Sequence, residues 1–294
     1  MTHSSTVARK APEARRERPY VQELARLAVK SLYAELVLYP KPGLVSPEDS
    51  GAHSDMTACT FMRSLFALRR YFVEIAEAGT RKARMSELRR LGLAAEARML
   101  RATGGINTHR GAIFTLGLLT ASAALAASER RGPTDATLRD LIASNWRRDL
   151  IATDTAMSGA STHGLQMAAR FGVSGARGEA INGFPSVFEV ALPALREAIA
   201  RGLEFRIAQI HAFFALLAVV DDTNVLYRGG RDGALHLRRA ATAFNGAGSV
   251  FAPSWRARAE SLHRSCSALR LSPGGCADLL AGTIFVHRLQ MARR

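Results

Sequence analysis

Cysteine is scarce: 3 occur in 294 residues, Cys59, Cys266 and Cys276, without CxxC spacing. This excludes a disulfide scaffold and a cysteine-built zinc site, and it fits a reducing, cytoplasmic compartment. Long hydrophobic runs are also lacking. The longest uncharged stretch, Gly111–Ser128, has 18 residues but includes two Gly, two Thr and two Ser. A membrane span needs ~20 predominantly apolar residues, so the stretch reads as a buried helix and no membrane partner is expected. No apolar segment opens the chain, so a secretory signal is not expected either. Residues 1–18, rich in Arg and Ser/Thr, read as a disordered basic tail. Lysine is nearly missing: of 40 basic residues only 4 are Lys, against 25 Asp+Glu, for a net charge of 40 − 25 = +15. The arginines are scattered in pairs such as Arg69-Arg70 and Arg238-Arg239, and aromatics make up only 7% of the chain. With no basic stripe and no Arg/aromatic interleaving, a nucleic-acid partner is not expected. The charge reads as a solvated basic surface or as provision for a polyanionic small molecule. Walker A, GxSxG and HExxH motifs are absent, and no GxGxxG follows a strand.

Period-two alternation is missing as well; what is present is helical. Hydrophobic residues make up 48% of the chain, enough for a large core. Val21, Leu24, Ala28, Leu32 and Leu36 recur at spacings of three and four after Pro19, as do Phe61, Leu65, Leu68, Phe72 and Ile75, with Ser54 and Asp55 as N-cap choices. Leu88, Leu91, Ala95 and Met99 form a third face. Helices are also predicted over 113–127, 138–151, 186–202, 205–220, 255–269 and 276–291. The predicted fold is all-α: a multi-helix bundle or array with long Gly-rich functional loops, residues 19–294 forming a single helical catalytic domain.

Four breaks are longer and more polar than folding requires: 39–56, 103–111, 158–185 and 221–233. In the first, Pro40 and Pro42 bracket Lys41, either as a stiffened phosphate ligand or as a plain Pro-Gly turn, and His53 and Asp55 lie before a helix. There Asp55 serves as N-cap, metal ligand or general base. The second, Thr103–Gly111, feeds Gly104, Gly105, Asn107, Thr108, His109 and Arg110 into a helix N-terminus, a natural anion site. The fourth holds Asp221-Asp222-Thr223-Asn224 and Arg228-Gly229-Gly230. Two carboxylates at a helix C-terminus oppose the macrodipole by ~0.3–1 kcal/mol each. A divalent cation would offset that, as would continuation of the helix with one Asp meeting an Arg. The third break contains His163, Arg177 and Glu179.

Tyr39-Pro40-Lys41-Pro42-Gly43-Leu44-Val45, Gly51–Met56, Thr103–Gly111, Gly175-Ala176-Arg177, Gly183-Phe184-Pro185, Asp221–Asn224 and Ser272-Pro273-Gly274-Gly275 occur in this order. As an ordered set they resemble the triphosphoribosyl-dephospho-CoA synthase family. Val45–Ser50 and Thr60–Leu68 resemble its malonate decarboxylase branch more than its citrate lyase branch. The resemblance implies that ATP and 3′-dephospho-CoA are joined with loss of adenine. The product would pass to a phosphoribosyl-dephospho-CoA transferase and a carrier-protein subunit. It also implies Mg²⁺ on Asp221 and Asp222, and triphosphate clamps at Lys41, Arg110 and Arg228. Asp55 and His109 compete as base, and His53 or Asn107 assists departing adenine. The wider pocket takes in Gly43, Gly104, Gly105, Thr108, Gly111, His163, Arg177, Glu179, Asn224, Gly229 and Gly230. Arg110 stands where Lys is common, and Arg cannot give up a proton, so a base role there is excluded. Cys276 stands where Ser is common. The sequence leaves a homo-oligomer open, and a metal-dependent hydrolase of ADP-ribose-like N-glycosides is the rival reading.

Overall fold

The computed structural model describes residues 10–156, 166–167 and 170–293. Among them are eleven α-helices and no strand, as the all-α prediction requires. In chain order they are α1 (Lys10–Leu36), α2 (Ala58–Thr80), α3 (Met85–Thr103), α4 (Arg110–Ser128), α5 (Asp135–Ala156), α6 (Gly175–Ile181), α7 (Leu192–Ala200), α8 (Phe205–Val219), α9 (Thr223–Gly246), α10 (Trp255–Ala268) and α11 (Gly274–Met291). A single π-helical turn, Ser186–Ala191, leads into α7.

Helix α4 is the axis of the fold. It is apolar all round, as a helix must be when neighbours cover every side, and it packs against α1, α2, α3, α5 and α11. By length and composition α4 could cross a membrane, but most of it is enclosed by its own chain. Polar anchors fix the register: Tyr71 Oη donates to Ile113 O at 2.8 Å, and Trp146 Nε1 donates to Ala83 O at 3.0 Å. Leu24, Ala28, Leu32 and Leu36 of α1, and Leu65, Leu68, Phe72 and Ile75 of α2, are buried as their spacing predicts. Each large apolar side chain so enclosed contributes roughly 1.5–3 kcal/mol.

The structure departs from the sequence pattern in three places. Helix α1 starts at Lys10 and carries Pro19 inside it. Lys10–Arg18, expected in the tail, are helical because Ala, Glu and Arg favour helix without an apolar face. The third break contains α6. The fourth break is mostly helix: α9 runs through it, interrupted at Gly230, whose φ of 60° and ψ of −160° suit glycine alone. The glycine pair marks a kink in a helix, not a loop.

Candidate active site

Four segments distant in sequence close on one another at one end of α4. His53 Nδ1 lies 3.1 Å from Arg228 Nη2, and its Nε2 lies 2.8 Å from Ser272 Oγ. Arg only donates, so Nδ1 accepts and Nε2–H donates to Ser272. Burial and the Arg228 charge push the His53 pKa down, against an opposing pull from Asp55. The ring is therefore a neutral link between the first loop, α9 and the turn before α11. Gly43, at φ 68°, lies against Leu271; a Cβ there would sit 1.9 Å from Leu271 O. Gly229 abuts the Leu271 side chain as well.

The second connection runs through two aspartates. Asp222 is the N-cap of α9, accepting Asn224 N–H at 2.8 Å and Val225 N–H at 3.4 Å, while its other oxygen accepts Cys276 N–H at 2.8 Å. Burial raises its pKa and these N–H groups oppose the rise. Asp278, the fifth residue of α11, lies against the start of α4, where the Ala112 backbone N–H pulls its carboxyl pKa down against the rise that burial causes. It reaches that position because residue 111 is glycine: a Cβ on Gly111 would lie 1.9 Å from Asp278 Oδ2. The N-termini of α4, α9 and α11 are thus joined through carboxylates, which their dipoles favour.

A buried ion pair lies within electrostatic reach of these aspartates. Lys41 is 1% exposed, and its Nζ donates to Glu35 Oε1 at 2.5 Å and to Glu35 O at 2.6 Å. Burial lowers the Lys41 pKa and Glu35 opposes this. Burial first, then the Glu35 and Asp222 charges, push the Asp278 carboxyl well above its ordinary range. His109 lies close enough for the Lys41 charge to act on it. Its Nδ1 shares a 2.6 Å hydrogen bond with Ser64 Oγ, its ring meets the Phe61 ring edge-on at 5.0 Å, and its Nε2 is buried without a partner. Burial and Lys41 lower its pKa to about 3.

These positions redraw several sequence expectations. Lys41 is enclosed and ion-paired rather than open to a triphosphate. Ser54 and Asp55 do not cap α2; Thr57 does, with Thr60 Oγ1 accepting its N–H at 3.2 Å. Asp55 is left 60% exposed, 3.6 Å from His53 Nδ1. Asp221 and Asp222 diverge. Asp221 faces outward to Arg238 at 2.5 Å, the pairing the sequence held as an alternative to a metal, while Asp222 is saturated by N–H donors. Among the described residues no group of three or more His, Cys, Asp or Glu is placed to hold a metal ion. The aspartate pair therefore does not fit a resident Mg²⁺. Arg110 is bound to Glu96 and is 40% exposed. Asn107 Oδ1 accepts the Arg110 N–H at 3.1 Å, and Thr108 Oγ1 is buried without a partner. Gly104 and Gly105 are exposed with positive φ, forming the turn out of α3. Glu179 accepts from Ser186 Oγ at 2.6 Å and from Ser186 N at 3.1 Å, and burial raises its pKa. Arg177 is the third residue of α6, whose first residue, Gly175, lies beside Thr223. Asn224 lies against Gly274, and the Gly230 kink is open. His163 falls outside the described residues.

Sequence reasoning gave no functional role to Glu35, Asp278, Ser64 or His263. Glu35 had a legible signal, since it continues the buried stripe of Ala28 and Leu32 and a carboxylate on such a stripe needs a partner. Asp278 had the same signal in α11, whose run from Cys276 to Val286 is otherwise almost wholly apolar.

A family model described as ATP:dephospho-CoA triphosphoribosyl transferase (CitG) matches residues 21–294. A probable 2-(5''-triphosphoribosyl)-3'-dephosphocoenzyme-A synthase of Stutzerimonas stutzeri is 39% identical, covering 98% of this chain and 97% of that protein. The 2-(5''-triphosphoribosyl)-3'-dephosphocoenzyme-A synthase of Pectobacterium atrosepticum is 36% identical over 97% of this chain and 95% of its own. A probable synthase of Pseudomonas paraeruginosa is 40% identical over 92% and 91%. No solved structure matches the chain. The ordered loops, the way they lock together and the near-complete match of the family model make this chain a member of the ATP:dephospho-CoA triphosphoribosyl transferase family.

Proposed function

We propose that the protein transfers the 5-triphosphoribosyl group of ATP to the ribose 2′-hydroxyl of 3′-dephospho-CoA, releasing adenine. We infer that the product serves malonate decarboxylase and that the reaction takes place in the cytoplasm, where both substrates and free thiols are at home. The observation that carries the reading is the interlock of the family's loops: His53 with Arg228 and Ser272, Asp222 with Cys276 N, and Asp278 against Gly111. These contacts gather residues from the first loop, the start of α4, the start of α9 and the turn before α11.

In this reading the hydroxyl oxygen attacks C1′ as the C–N bond to adenine breaks. One inversion converts the β-nucleoside into the family's α-linkage through an oxocarbenium-like state, without an enzyme nucleophile. Asp55, exposed beside His53, takes the hydroxyl proton, and the departing adenine takes up one proton at the ring nitrogen that held C1′, so the two proton transfers balance. His109 does not, because its ring is enclosed and its Nδ1 is engaged by Ser64 Oγ. Arg228 and Arg110 meet the triphosphate, whereas Lys41 neutralises the buried acids beneath it. Mg²⁺ arrives with ATP as part of the substrate, its ligands supplied largely by phosphate oxygens and water.

Mass spectrometry of ATP and dephospho-CoA incubated with the enzyme tests the reading. Expected are free adenine and a single condensation product, with no ribosyl-protein adduct in a single-turnover quench. Adenine release that is indifferent to dephospho-CoA would instead favour the N-glycoside hydrolase. Offering the product, with its transferase, to carrier subunits of malonate decarboxylase and of citrate lyase tests the pathway.

A further inference from the structure

His263 lies outside every motif discussed so far, on α10, and is 2% exposed. Its Nδ1 is 2.6 Å from the carbonyl oxygen of Lys41, and its Nε2 is 2.9 Å from both carboxylate oxygens of Asp49. A backbone carbonyl and a carboxylate only accept hydrogen bonds. A neutral imidazole has one N–H, so one of its nitrogens would set a lone pair against an acceptor lone pair in a buried place. Both contacts are satisfied together only when each nitrogen carries a proton. The Asp49 carboxylate is fixed as an acceptor from a second direction by Gly51 N–H at 2.7 Å, and it is 45% open to solvent, where its charged form is hydrated.

The contacts fall at the two ends of the Lys41–Asp49 loop. Within it Asp49 O accepts Ser46 N–H at 2.9 Å, and just past its end Ala52 N–H returns to Gly43 O at 3.0 Å. Lys41 is therefore held twice, its carbonyl by His263 and its ammonium by Glu35. We propose that His263 is a positioning residue for the transfer reaction, held as an imidazolium whose two donated hydrogen bonds close the Lys41–Asp49 loop and keep Lys41 seated beside Glu35 under the substrate site. This rests on the function proposed above for the site; the charged clamp itself follows from the geometry alone.

The groups that face this ring are few. Asp49 is the carboxylate it touches, and Tyr39 presents its ring at 5.3 Å and 72° from the same loop. Glu48 on the loop, with Glu260 and Arg264 on α10, acts electrostatically on the neighbouring Tyr39 hydroxyl. Cys266, on the next turn of α10, is a neutral thiol whose pKa burial pushes up to about 12. On α9, His236 reaches Ser265 at 3.4 Å.

The test uses full-length enzyme with ¹⁵N-labelled histidine. At about pH 8 an unperturbed imidazole is neutral. The proposal expects one histidine protonated on both ring nitrogens at that pH, its signals absent from His263→Gln. In the second arm, the Kd for MgATP is read by calorimetry for wild type and for Asp49→Asn, whose half-exposed site keeps the fold intact. At about pH 6 the two should agree within roughly twofold. At about pH 8 the variant should bind about tenfold more weakly, the size of one lost charge-assisted hydrogen bond, because without the carboxylate no charge faces Nε2 to hold its proton. A purely structural role would weaken binding equally at both pH values. A singly protonated His263 at about pH 8, or superimposed pH profiles for wild type and Asp49→Asn, overturns the proposal. Loss of transfer chemistry with these results intact would overturn only the reaction assigned above.

Discussion

His109 should make the fold acid-sensitive in a measurable window. Its pKa falls from the ordinary 6.5 to about 3 in the folded protein, because burial disfavours the imidazolium and Lys41 repels it. Below pH 6.5 the unfolded chain takes up a proton that the native ring refuses, so the stability His109 contributes above pH 6.5 drains away as pH falls, until the folded group titrates near pH 3. The slope is about 1.4 kcal/mol per pH unit, so the step from pH 6.5 to about 5 costs about 2 kcal/mol on this account. His109→Asn keeps a polar partner for Ser64 Oγ and removes the titration. Urea melts of wild type and variant at closely spaced pH values give the difference directly. His53 and His211, whose pKa values are also lowered by burial, are common to both proteins and cancel. The variant should be less stable at neutral pH, and the gap should shrink by about 2 kcal/mol on acidification to about pH 5. A gap that stays constant across that range would refute the assignment of His109 as a neutral, enclosed ring, and would reopen its candidacy as the base.

Further expectations concern the carboxylates and the ion pair. Lys41→Met should destabilise the fold by about 3–5 kcal/mol by stranding Glu35, and adding Glu35→Gln should restore much of that in a thermal melt; a single variant as stable as wild type would show that the pair is not buried. Asp222→Asn should cost about 1–3 kcal/mol, since an amide cannot accept at both positions, whereas Asp221→Asn should stay within about 0.5 kcal/mol with unchanged Mg²⁺ dependence. Equal loss of turnover in both would restore the metal pair. Asp55→Asn should leave melting unchanged and lower kcat by about a hundredfold or more; a near-normal kcat would remove Asp55 as base.

The helices were legible because burial writes a period of three to four into the sequence, and the buried faces of α1, α2 and α3 follow that period. The loop motifs were legible because Gly, Pro and polar clusters cannot continue such faces, and their order alone pointed to the family. Local sequence could not say which polar side chains turn inward. Lys41 looked solvated between two prolines yet ends 1% exposed, because Glu35, a turn away on α1, is buried and must be neutralised. Asp221 and Asp222 are neighbours in the chain but face opposite ways, since one caps α9 and the other meets Arg238. Glu35, Asp278 and His263 sit on helix faces where only the packed partner gives a charged group meaning. The contacts that make the site join residues far apart in the chain, such as His53 with Ser272 and Asp222 with Cys276. Periodicity carries no information about distance across the fold, so those pairings were decided by how α4, α9 and α11 bring their N-termini together.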